Sequence, residues 1–171
     1  MDRYVRIFIL ILLPWLAIFL QSTVFSTYSI KGTVPDLVLI FVAFFALLNR
    51  VREGTVYGFL CGLLEDLVLG RFIGMNALAK GLTAYILGKL QGNVFQENIL
   101  VGAFCVFLAT CINALCIFLM SLVFLPVFHV DMGLVAAIIY QIVYNIALAV
   151  PLYLWYYDSS NYGRLRHYGE F

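Results

Sequence analysis

Apolar residues run through this chain in six blocks separated by short polar stretches, and few blocks alternate as a half-buried strand or one-sided helix would. A bilayer core about 30 Å thick takes about 20 helical residues. On that measure the blocks predict membrane spans over residues 7–25, 35–49, 54–69, 76–90, 99–125 and 133–157, within one integral membrane domain covering 1–171. The expected fold class is all-α, a polytopic membrane protein of six transmembrane helices. Pro14 is tolerable inside the first span because a neighbouring helix can satisfy the freed carbonyl. Pro35 and Asp36 suit the start of the second, where proline is pre-set for the first turn and an acid meets the positive end of the helix dipole. Pro126 stops the fifth, and the sixth closes on LYLWYY, an aromatic cluster suited to the headgroup level. A polar tail, 158–171, follows.

One stretch breaks the pattern. In REGTVYGFLCGLLEDLVLGRFIGMNALAKGL, residues 52–82, Gly54, Gly58, Gly62, Asp66, Gly70 and Gly74 recur every four residues, which on a helix makes one slowly drifting stripe. A face without side chains lets a second helix come close, and van der Waals contact then replaces the hydrophobic drive that lipid-bathed helices lack. Ala77, Gly81, Ala84, Gly88 and Gly92 form a second small face on the fourth span. The two predict a close hairpin.

Composition fixes the class. The chain is 64% hydrophobic and 11% charged, with a mean hydropathy of +1.03, against about 45–50% and about 25% in soluble domains. Apolar segments consume nearly all of it, which leaves no room for a soluble catalytic or nucleic-acid-binding domain. Cys61, Cys105, Cys111 and Cys116 lie in apolar runs without CxxC or finger-like spacing to His129 or His167, so they read as small buried hydrophobes rather than ligands or disulfide partners. The basic start and first apolar run resemble a signal peptide, but QSTVFSTYS follows with no A-x-A site, which predicts an uncleaved span. In a six-span arrangement Arg3, Arg6, Arg50, Arg52, Lys89, Arg164 and Arg166 fall on the side holding both termini, while Lys31 and Arg71 fall opposite. This imbalance predicts cytoplasmic termini.

Ionisable residues inside spans are costly and are candidates for function. Glu65 and Asp66, as neighbours, point about 100° apart on a helix, which argues against an acid/base dyad at one reacting atom. Asp66 and Lys80 each lie four residues from the turn between their spans, at matching depth, so the expected structural element is an Asp66–Lys80 ion pair. A partner-facing role and a proton or substrate site are the alternatives, with Glu65 pointing to headgroups or a partner. Gln141 and Asn145, one turn apart, and Thr110 with Asn113 read as amides and hydroxyls that stitch helices together. Phe8, Trp15, Trp155, Tyr156 and Tyr157 read as lipid-facing or belt aromatics. No phosphate loop, nucleophile–base set or basic aromatic surface is present, so neither an enzyme nor a cofactor or metal site is expected.

QST in the first span, then Pro35, Asp36 and Leu37, then Gly62, Asp66, Gly70, Gly74 and Asn76 within the 52–82 stretch resemble the rod shape-determining protein MreD family over about residues 20–90. The resemblance implies a non-enzymatic scaffold of the bacterial cell-elongation complex in the inner membrane. It implies an MreC-like periplasmic partner, together with MreB and the transpeptidase and glycosyltransferase of lateral peptidoglycan synthesis, and a fold similar to the S-components of energy-coupling-factor transporters. A vitamin-binding S-component is the rival reading; short outer loops poor in polar groups favour the scaffold. Structural or partner-binding candidates are Pro35, Asp36, Gly58, Gly62, Glu65, Asp66, Gly70, Gly74, Asn76 and Lys80. Membrane lipid and a second copy of the chain complete the expected partners, with no nucleic acid among them. Docking of partner helices on the small face predicts that Gly62→Leu or Gly70→Leu disrupts assembly before folding.

Overall fold

A computed structural model describes residues 2–29, 31–70, 72–91, 98–124 and 132–161. These form six helices and no strand element: α1 (Asp2–Leu20, prolonged by a π-helical turn, Gln21–Phe25), α2 (Leu37–Leu48), α3 (Val51–Leu69), α4 (Met75–Leu90), α5 (Ile99–Phe124) and α6 (Met132–Asn161). Among the described residues three segments are long and apolar enough to cross a membrane: Tyr4–Phe25, Ile99–Phe124 and Gly133–Ser159. Helix α6 continues through Asp158 to Asn161, beyond the expected start of a polar tail. The Pro126 stop and both histidines lie outside the described residues.

The second block gives the shortest helix and the most enclosed one. At 12 residues, α2 is about 18 Å long, less than the bilayer core. Every residue from Leu37 to Leu47 is buried, because α1, α3, α4, α5 and α6 all pack on it. A helix apolar on all faces belongs either in lipid or in a protein centre; here it is the protein centre. Its C-terminal end is tied down by Asn49, which accepts from the Arg6 guanidinium of α1 at 2.8 Å and donates to the Phe45 carbonyl at 3.0 Å.

Around this axis stand two hairpins. Helices α3 and α4 make the most extensive contact of any two elements, and the small faces explain it. A Cβ on Gly62 would lie 2.7 Å from the Ala77 Cα, one on Gly58 2.8 Å from the Lys80 carbonyl oxygen, and one on Gly88 3.0 Å from the Val51 Cα. The stripe stops at Asp66. Gly70 and Gly74 have φ of +61° and +104° with nothing within 4 Å of an added Cβ. They are the left-handed residues that end α3 and begin α4, and they lie in the turn rather than on the contact face. In the second hairpin, Gly102 of α5 abuts the Tyr153 ring of α6, whose nearest atom would be 2.5 Å from an added Cβ. The Phe41, Phe44 and Phe45 side chains of α2 meet Tyr57, Tyr153 and Tyr156 in an aromatic layer beneath. Phe8, Trp15 and Trp155 face outward as expected, but Tyr156 is 2% exposed and packs on Phe41 and Phe44. Its position on the inward face of α6 outweighs its place in the terminal aromatic cluster.

A buried ion network joins the six helices

Pro35 and Asp36 bring the chain into α2, and Asp36 serves two purposes there. Its Oδ1 accepts from the Leu39 amide at 2.8 Å, an N-cap bond. Its Oδ2 accepts from Lys80 Nζ at 2.8 Å. Lys80, on α4, is 0% exposed, and it also donates to Glu65 Oε2 of α3. Two carboxylates from two helices thus share one ammonium on a third. The expected partner of Lys80 is not the one found, and Glu65 turns inward to Lys80 instead of facing headgroups.

Asp66 turns the other way. Being about 100° round the helix from Glu65, it faces the turn, where Oδ2 accepts from the Gly74 and Ala77 amides at 2.8 and 3.2 Å. Its Oδ1 accepts from Asn76 Nδ2 at 2.8 Å and the Asn76 amide at 3.3 Å. The carboxylate therefore caps the N-terminus of α4 from outside the helix, supplying acceptors for amides that the helix leaves unsatisfied. The Asp66–Lys80 ion pair does not form: four backbone and side-chain N–H groups consume Asp66, while Asp36 and Glu65 consume Lys80.

The remaining helices join through amides. Asn145 of α6 accepts from the Asp36 amide at 2.8 Å and donates to Thr110 of α5 at 3.0 Å. Gln21, in the π-helical turn of α1, accepts from the Val38 amide at 3.2 Å. Together these contacts link α1, α2, α3, α4, α5 and α6 around the start of α2. Asn145 and Thr110 stitch helices as their sequence positions predict. Asn113, a turn further along α5, is buried, and its Oδ1 makes no hydrogen bond among the described residues. Gln141 is half-buried. Sequence reading missed Gln21 as a contact and Asp36 as a counter-ion. The signal available for both was their place inside the QST and Pro-Asp-Leu motifs rather than any spacing.

All four cysteines are free thiols, Cys61 and Cys105 buried. Nine of the ten candidate residues cluster at one end of the molecule: Asp36, Glu65 and Lys80 in the ion network, Pro35 before it, and Gly62, Asp66, Gly70, Gly74 and Asn76 in the α3–α4 closure. Gly58 sits deeper, against Lys80 and Ala84.

Fold and site define a small helical membrane protein whose interior polar groups are spent largely on holding its own helices together. A sequence model of the family described as rod shape-determining protein MreD matches residues 1–160, and the chain belongs to that family. No curated protein and no solved structure matches it.

Proposed function

We propose that this protein is a membrane scaffold of the bacterial cell-elongation complex, needed for rod shape and lateral peptidoglycan synthesis. In this reading it sits in the cytoplasmic membrane, crosses it six times and keeps both termini in the cytoplasm. It holds an MreC-like partner and, with it, MreB, a transpeptidase and a glycosyltransferase. The observation that carries the reading, beyond membership of the family, is that the buried charges satisfy one another: Asp36 and Glu65 share Lys80, and Asp66 caps α4. Such a core costs desolvation energy and returns a defined arrangement of helices, which is what a protein needs when it acts by presenting a surface. The candidate residues then serve assembly indirectly, by fixing the shape that partners meet. A non-enzymatic role rests on the family.

The test is copurification of the tagged full chain with a coexpressed MreC-like protein, followed by gel filtration. Coelution is expected. A chain that brings down no such partner yet retains a vitamin through the column would overturn the scaffold in favour of an S-component. Reporter fusions at each terminus and in the 26–34, 50–53, 70–75, 92–97 and 125–131 segments check the six crossings.

A further inference from the structure

At the end of the bundle opposite the ion network, three cations stand together beside a single acid, Glu53, among the described residues of α3 and α4 there. Arg50 and Arg52 flank the start of α3, and both are exposed; Lys89, in the last turn of α4, is also exposed. Gly88 lets these elements touch, its Cβ position being 3.0 Å from the Val51 Cα, so residues 50–52 and 88–89 are neighbours in space. None of the three joins an ion pair among the described residues. Arg6, close in the chain's own geometry, is engaged by Asn49 instead. Glu53 is the nearest described acid to the arginines in sequence and is itself engaged, and the three cations outnumber it; Asp158 belongs to α6, which packs on α2 and α5.

The surface directly beneath is apolar and open. Val56 of α3 and Leu82 and Tyr85 of α4 are 52%, 49% and 39% exposed, and Lys89 Nζ lies 4.7 Å from the centre of the Tyr85 ring. A cation on a tyrosine at the margin of a lipid-facing surface marks headgroup depth. Charges placed there, unpaired, and immediately above acyl-chain contacts match an amphiphile with an anionic head and apolar tails. An acidic protein would have no use for the apolar turn below.

From this we infer that Arg50, Arg52 and Lys89 form a binding site for the phosphodiester headgroup of an anionic phospholipid, with its chains lying along Val56, Leu82 and Tyr85. The site fastens the α3–α4 hairpin at the end away from the buried Lys80 ion pairs. Cations near an anionic membrane surface contribute about a fivefold preference each, so three in one place give selectivity over a zwitterionic lipid well above that of a single surface lysine.

The experiment uses the full chain in nanodiscs of equimolar phosphatidylglycerol and phosphatidylcholine, with native mass spectrometry of the lipid that stays bound on release. The wild type should retain phosphatidylglycerol in large excess. Lys89→Gln should lower the excess about fivefold, and Arg50→Gln with Arg52→Gln and Lys89→Gln should abolish it, while Lys31→Gln at the other end leaves it unchanged. Raising the salt on wild-type protein should erode the preference, a check that needs no folded variant. The inference fails if wild type shows no preference, if the triple variant keeps it, or if Lys31→Gln removes it equally. It also fails if the triple variant changes only which acidic proteins copurify.

Discussion

Replacing Lys80 by methionine removes the only cation in the buried network and leaves Asp36 and Glu65 facing one another. Lys80 is 0% exposed, and the side chains of its two partners are 9% and 6% exposed, so water cannot take its place. Breaking a buried pair by deleting one partner costs about 3–5 kcal/mol, because the surviving charge stays desolvated. For a chain of this size, with about 2–4 °C per kcal/mol, Lys80→Met should lower the melting temperature by about 6–20 °C. The assay is thermal unfolding in a mild neutral detergent, followed by the monomer peak on fluorescence-detected gel filtration. The same principle predicts a rescue. Asp36→Asn and Glu65→Gln added to Lys80→Met neutralise the whole network, and Asp36→Asn keeps an oxygen for the cap on Leu39. The triple variant should recover most of the loss, since a buried ion pair contributes little net stability beside neutral groups of the same shape. The reasoning is refuted if Lys80→Met melts with the wild type, or if the triple variant is no more stable than the single one.

Asp66→Ala strips the cap from α4 and should cost about 1–2 kcal/mol, in the upper range for a cap since three backbone amides lose their acceptor; thermal unfolding measures it. Exchanging Asp66→Lys with Lys80→Asp should rescue neither single change, because the two residues do not meet. Gly62→Leu should fail at folding, with loss of the monomer peak before any partner is added, since even a Cβ there would lie 2.7 Å from the Ala77 Cα. Gly70→Ala meets nothing within 4 Å and should cost only the about 1–2 kcal/mol of a left-handed backbone, with Gly70→Asn cheaper still. Equal damage from Gly62→Leu and Gly70→Ala would return Gly70 to the packed face and contradict the turn geometry.

Much of this architecture is legible in the sequence because lipid simplifies the problem: a span must be helical and apolar, so hydropathy and length find the helices. The close hairpin is legible for a related reason, small residues at fours being visible in one dimension. What hydropathy hides is which apolar helix goes inside. The second and fifth blocks look alike in composition, yet α2 is buried all round and α5 largely faces outward. Only the number of helices packed on each decides this. The length of the second block was the available hint, since a 12-residue helix is too short to meet water at both ends by itself.

The ion network shows where one-dimensional depth arguments stop. Counting residues from a turn gives the height of a charged group, and by height Asp66 and Lys80 match. It gives neither its direction around the helix nor the other groups at that level. Glu65 and Asp66 are adjacent and therefore about 100° apart, so one can face Lys80 only if the other does not. The turn settles which: Gly74, Asn76 and Ala77 present their N–H groups to Asp66 within hydrogen-bonding distance, and amides at a helix start take an acceptor before a lysine with other choices does. Lys80 had such choices because Asp36 at the start of α2 reaches it too, 44 residues away in sequence. A motif that reads as Pro-Asp for helix initiation thus also carries a counter-ion for the buried lysine of α4.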